Sequence, residues 1–220
     1  GIDLLAAILE KIEGKRLGDI LNERFFEPMD MKNIGFGKED FSDGNNIAWF
    51  YGAPRDGVKP IGKIEDNGIS WKIAGLPFAP EPGLNRQFDN GGGGIWSSAE
   101  DYLKFASLLG AKGLWKGSRI LNEETVAKQT TNLVPGLGLE AFEAQFGNAA
   151  SMMSFGGGLG IKRESASSDA VDYYFWGGIC NTAFWIDPID GSSGIFLTHH
   201  CPGQYNVNDE LEQIIDDARL

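Results

Sequence analysis

Residues 175–188 read FWGGICNTAFWIDP and hold the densest set of residues that could do chemistry. An apolar run meets Gly177–Gly178, continues apolar, and stops at Asp187–Pro188. Glycines inside a strand leave backbone bare, so that a ligand or another chain can lie against it. Cys180 sits in this stretch, and His199, His200 and Cys201 follow twenty residues on. A thiol and an imidazole at this spacing could form a zinc site or a nucleophile–base pair, and the two thiols a disulfide. Adjacent histidines on a strand point to opposite faces, so only one could join a shared site. No oxyanion donor or orienting group is specified for a cysteine hydrolase. Separate thiols and no metal are therefore the expectation. The run Gly91–Gly94 invites a phosphate-loop reading, but the G-x-x-x-x-G-K-[ST] pattern is absent.

The elements that would position these residues follow from periodicity. Leu5, Ile8, Leu9 and Ile12 predict a core-facing helix over 3–13, with Gly14 as its C′ residue. A second helix, 17–26, should carry Leu17, Ile20 and Leu21 inward and stop before Pro28. Residues 38–94 show no sustained period. They hold prolines, glycines and scattered aromatics (Trp49, Phe50, Tyr51, Trp71, Phe78, Phe88), which fits an ordered excursion with short strands. Ser97 with Glu100 reads as a capping box opening a helix whose face is Tyr102, Phe105, Ala106 and Leu109. Asn122 should cap a short helix over 123–130.

Beyond residue 150 the pattern changes. Met152–Lys162 reads as one Gly-rich strand and Tyr173–Ile186 as one long strand. Asp187–Gly191 is a turn, with Gly194–His200 returning as the other arm of a hairpin. A turn centred near residue 190 would set Cys180 opposite the region of residue 200. Strands apolar on both faces should be covered on both sides. A helix from Asn208, with Leu211, Ile214, Ile215 and Ala218 on one face, would cover one of them. Helices, excursion, helices, then antiparallel strands make an α+β fold, with a helical region over 1–150 and a strand-rich region over 151–220.

Acidic residues number 31 against 19 basic, a formal net charge of −12. That balance disfavours nucleic acid and anionic membrane as partners. No apolar run approaches the length of a membrane span, and no leader is visible. The composition is that of a soluble globular protein.

Three stretches, in order, resemble one family. They are LLAAILEKIEGKRLGDILNERFFEPMDMKNIGFG, GGGGIWSSAEDYLKFASLLG and FWGGICNTAFWIDPIDGSSGIFLTHH. Together they resemble the serine β-lactamase-like family, which includes class C β-lactamases, D-alanyl-peptidases and serine carboxylesterases. The resemblance implies a β-lactamase/transpeptidase-like fold, an antiparallel sheet flanked by helices plus a helical region. It implies no cofactor. The family's first motif is S-x-x-K, the nucleophile and the lysine that helps activate it. Its second is Y-x-N or Y-x-S. No serine here has lysine three positions on, and no tyrosine has Asn or Ser two positions on.

The second motif would fall just before the helix at 3–13. The expectation is therefore a carboxy-terminal portion of a longer serine hydrolase, incomplete without its N-terminal half. A split protein and a degraded, inactive binding module are the alternatives.

Only the third motif can be carried over. Trp176, Gly177 and Gly178 stand where K-T-G or H-x-G stands in other members. The resemblance assigns the backbone N–H of Ile179 to the oxyanion hole. Trp is neutral and donor-only, whereas the lysine of K-T-G offers a cation to the carboxylate of a penicillin. A neutral small-molecule ester is thus the expected substrate, with β-lactam or D-alanyl-peptide substrates as the alternative. Trp176 as a mere packing aromatic is the plainer possibility.

Overall fold

The computed structural model describes residues 1–42, 47–48, 50–52, 59–62, 88–134, 151–178, 180–201, 210, 213–214 and 217. Helix α1 spans Ile2–Glu13 and ends as expected at Gly14. Gly14 has φ 67°, and its N–H donates to Glu10 O at 2.8 Å. A residue with no Cβ takes that left-handed conformation without strain. Helix α2, Leu17–Leu21, continues into a wider π turn, Asn22–Phe26, closed by Glu27 N–H to Asn22 O at 2.9 Å. Pro28 follows, and the chain leaves the helix there.

The inward face of α1 differs from the expectation. Ala6 is buried and Leu9 half-buried against Leu17 and Phe36. Leu5, Ile8 and Ile12, together with Ile2 and Leu4, are exposed, Ile12 by 73%. The helix carries two neighbouring apolar rows, and periodicity cannot say which of them meets a partner.

Short strands punctuate the middle of the chain. Strand β1 (Ile34–Gly35) pairs with β4 (Trp96–Ser97), and β2 (Phe50–Gly52) pairs antiparallel with β3 (Lys59–Gly62). The excursion therefore does contain short strands. Phe88 is exposed, and Trp49, Trp71 and Phe78 lie outside the described residues.

Helix α3, Ala99–Gly110, starts one residue later than the capping box at Ser97 and Glu100 predicts. Ser97 is held in β4 opposite Ile34, so Ser98 becomes the N-cap and its Oγ accepts from Asp101 N–H at 3.2 Å. Asp101, buried, then accepts from the backbone N–H groups of Lys32 (2.9 Å) and Asn33 (2.6 Å) through Oδ2. Its Oδ1 lies 2.7 Å from Lys104 Nζ. The predicted face of Tyr102, Phe105, Ala106 and Leu109 does pack inward. Leu108 is also buried, against Phe26, Met29, Met31 and Ile34, so α3 is covered on two sides.

A hairpin of β5 (Leu114–Trp115) and β6 (Ser118–Arg119) leads to α4 (Glu123–Gln129). Asn122 occupies the N-cap position of α4, without a side-chain capping bond.

Among the described residues the main sheet has five strands in the order β11-β10-β9-β8-β7, all antiparallel. They are β7 (Met153–Phe155), β8 (Gly160–Arg163), β9 (Val171–Gly178), β10 (Thr182–Ile186) and β11 (Ser193–Phe196). Two single strands of the sequence reading are in fact hairpins. Met152–Lys162 folds back at Gly156–Gly158, where Gly158 has φ 104°. Tyr173–Ile186 folds back between Gly178 and Thr182. The polar pair Asn181–Thr182 interrupts the apolar run at the second reversal.

Phe184 and Ile186 of β10 pack with Ala106 and Leu109 of α3, Val126 of α4 and Leu159. This core holds β9 in place. Residues 210, 213–214 and 217 are helical, and Ile214 is exposed rather than turned inward; the rest of the expected closing helix lies outside the described residues. Among the described residues no helix is long and apolar enough to cross a membrane.

Candidate active site

Strand β9 is half-buried to buried along most of its length and emerges at its end. Tyr173 is buried, whereas Trp176, Gly177 and Gly178 are all exposed. Trp176, Gly177 and Gly178 thus lie at the exposed end of a central strand. Phe184 stands across from Trp176 on β10, yet Phe184 is buried and Trp176 is 39% exposed. The sheet core ends between them. The Trp176 indole meets the ring of Phe155 on β7 edge-on, with centroids 5.1 Å apart. Edge-to-face rings at this separation attract through their quadrupoles. Trp176 therefore has a defined contact rather than a free rotamer.

A β-carbon on Gly177 would stand 3.0 Å from Thr182 O, and one on Gly178 would stand 2.6 Å from Thr182 Oγ1. The two glycines keep the hairpin tight as well as bare. Asn181 N–H donates to Gly178 O at 3.0 Å, and Asn181 has φ 59°. Asn tolerates that left-handed conformation better than most residues. A turn closed by a left-handed residue is a common three-residue hairpin connection. Asn181 was the available sequence signal for this reversal. Ile179, assigned by resemblance to the oxyanion hole, lies outside the described residues.

Cys180 and the His199–Cys201 segment belong to different elements. Cys180 is half-buried in the hairpin turn, where Thr198 Oγ1 donates to its carbonyl at 2.6 Å. The expected approach of Cys180 to the return strand is therefore met by Thr198. His200 and Cys201 form β12, which leaves the main sheet and pairs in parallel with β2. Its register sets His200 beside Tyr51 and Cys201 beside Gly52. His199 packs edge-on against Trp96 at 4.9 Å, and its Nδ1 lies 3.0 Å from Ala48 O. Burial lowers the His199 pKa below 6.5, partly countered by that hydrogen bond. Among the described residues no group of three His, Cys, Asp or Glu is placed to hold a metal.

Tyr102, on α3, is set into the core beside β10. Its ring packs on Phe184, and burial pushes its phenol up to about 12. Sequence reasoning missed Phe155 and Thr198. An aromatic on the first strand of a Gly-rich hairpin carries no local mark of its destination. Neither does a threonine after a strand.

The fold agrees with what comparison of the chain with known proteins finds. Protein Rv1367c of Mycobacterium tuberculosis (strain ATCC 25618 / H37Rv) is 27% identical over 209 residues, 91% of this chain and 48% of that protein. Among solved structures, EstCE1, described as a hydrolase with promiscuous acyltransferase activity, superposes with a TM-score of 0.67 at 22% identity. That match covers 96% of this chain and 53% of EstCE1. Simvastatin synthase (LovD) from Aspergillus terreus, unliganded, as its selenomethionyl derivative, gives a TM-score of 0.70 at 18% identity, over 96% of this chain and 52% of LovD. The chain thus spans about half the length of the curated relatives it matches. The structures share the fold, an antiparallel sheet with flanking helices. The Beta-lactamase family model matches residues 1–216, nearly the whole chain, and the chain belongs to that family.

Proposed function

We propose that this chain is the carboxy-terminal portion of a serine hydrolase that cleaves neutral esters through an acyl-enzyme. In this reading Trp176, Gly177 and Gly178 form one wall of the site. Ile179 N–H supplies one of the two oxyanion donors, and the remaining half of the protein supplies serine, lysine and tyrosine. The serine oxygen would attack the ester carbonyl, the alcohol would leave, and water would release the acid. The glycines let the substrate lie flat on the strand, and an N–H aimed at the developing oxyanion lowers the barrier.

One observation carries the ester assignment. The position that holds a cation in K-T-G holds an exposed, neutral indole, backed by a second aromatic ring at 5.1 Å. Such a surface favours an uncharged acyl or alcohol group over a carboxylate. The test joins this chain to the rest of its polypeptide and compares a short-chain p-nitrophenyl ester with a chromogenic cephalosporin. Faster ester turnover, with none by the chain alone, is expected. The reverse preference would assign a β-lactamase or peptidase.

A second reading is a catalytically inactive binding module of the same fold. The absence of S-x-x-K from all 220 residues favours it. An open frame upstream of Gly1 that encodes S-x-x-K and Y-x-S would dismiss it.

A further inference from the structure

The reversal that follows Trp176–Gly178 is held from outside its own hairpin. Thr198 follows β11 and reaches back to the turn. Its hydroxyl lies 2.6 Å from Cys180 O and 3.1 Å from Asn181 O. One O–H proton is shared between two carbonyls, the shorter contact taking most of it. A two-stranded turn normally leaves such carbonyls to water, where they hold no particular direction.

The anchor of Thr198 is itself fixed. On the N-terminal side, Ile195 and Phe196 pair with Phe184 and Ala183 in the sheet. On the other side, His199 stacks edge-on against Trp96 and meets Ala48 O at 3.0 Å. Trp96 in turn lies in β4, two residues before the N-cap of α3. Thr198 therefore transmits the position of the sheet core and of β4 to the tip of the β9–β10 hairpin.

We propose that Thr198 is a positioning residue: its hydroxyl fixes the turn at Cys180–Asn181 and thereby the end of β9 at Gly178, whose carbonyl accepts from Asn181 N–H. The link to catalysis rests on the reading of Trp176–Gly178 as a wall of the active site; the clamp itself does not. An oxyanion donor misplaced by an ångström loses much of its effect, so a residue that orients this backbone acts on kcat more than on KM.

The experiment compares the wild type with Thr198→Val and Thr198→Ser. Val keeps the shape and removes the donor; Ser keeps the donor. Cys180 lies in the clamped turn, and its alkylation by iodoacetamide, followed by peptide mass spectrometry, reports opening of that turn. Thr198→Val should speed Cys180 alkylation about threefold to tenfold, the population shift equivalent to one net hydrogen bond. Thr198→Ser should return it to the wild-type rate. Hydrogen exchange in α3 should be equal in all three proteins, which separates local from global opening.

An unchanged Cys180 rate in a folded Thr198→Val protein overturns the clamp. If that variant does not fold, equal rates in wild type and Thr198→Ser support it, and faster labelling of the Ser variant overturns it. In the complete enzyme, Thr198→Val should lower kcat about tenfold with KM within about twofold, and Ser should rescue. Loss of KM alone would overturn the positioning role. A wild-type enzyme without turnover would overturn the reading of the site while leaving the labelling result intact.

Discussion

The ring of Phe155 stands edge-on to the indole of Trp176, 5.1 Å between centroids, although the two residues lie on strands separated by β8. The pair turns a single exposed indole into an oriented aromatic surface beside the bare backbone of Gly177–Gly178. On the proposed ester-hydrolase reading, Trp176→Lys in the full-length protein should raise cephalosporin turnover relative to ester turnover by about tenfold, since a charge-assisted hydrogen bond contributes roughly 1.5–3 kcal/mol. Phe155→Ala should lower kcat/KM for esters by about threefold to tenfold, through loss of an aromatic pair. Ratios of kcat/KM for the two substrates check both.

The glycines of the sheet differ in what they protect. The indole of Trp185 lies directly over Gly194, where a β-carbon would overlap the ring. Gly194→Ala should cost about 1–3 kcal/mol as overpacking. Gly178→Ala meets only the rotatable hydroxyl of Thr182, at 2.6 Å. It should cost at most about 1 kcal/mol and act on substrate binding instead. Urea unfolding of the two variants should separate them.

Asp101 ties the N-terminal turn of α3 to the backbone before β1. Removing its carboxylate leaves the N–H groups of Lys32 and Asn33 without the acceptor they share. Asp101→Ala should lose about 3 kcal/mol, and Asp101→Asn, which keeps one acceptor oxygen, less. Chemical denaturation at neutral pH gives both values.

His199 makes stability depend on pH in a defined direction. Its pKa is lowered in the folded protein relative to 6.5, because burial penalises the charged ring. As pH falls through about 6.5, the unfolded chain takes up a proton that the native state refuses, and stability falls. The loss grows by at most about 1.4 kcal/mol per pH unit and levels off below the folded pKa. His199→Asn, which can still donate towards Ala48 O, should remove this component. Melting temperatures of the two proteins between pH 7.5 and pH 5.5 should diverge accordingly.

Helix α1 presents Leu4, Leu5, Ile8 and Ile12 to solvent. A continuous apolar stripe of this kind favours association. The isolated chain should self-associate in sedimentation experiments, and Leu5→Glu with Ile8→Glu should shift it towards monomer. A wild-type chain that stays monodisperse at high concentration would count against the incomplete-fold reading.

Much of the architecture is legible in the residues. The limits of α1, the inward positions of α2 and the core face of α3 follow from periodicity and caps. These are local properties, set by backbone sterics and by the turn-by-turn spacing of apolar side chains. The family, too, was legible from three motifs in order.

What the residues could not decide is which apolar surface meets which. The exposure of Leu5 and Ile8, the choice of Ser98 over Ser97 as cap, and the meeting of Phe155 with Trp176 all depend on contacts distant in sequence. Trp176–Gly178 was marked by its own composition. Its exposed end and its tie to Thr198 exist only because the sheet core stops at Phe184 and the chain after β11 returns to the turn. Burial and hydrogen bonding between remote segments are set by the packed whole, and no local pattern encodes them.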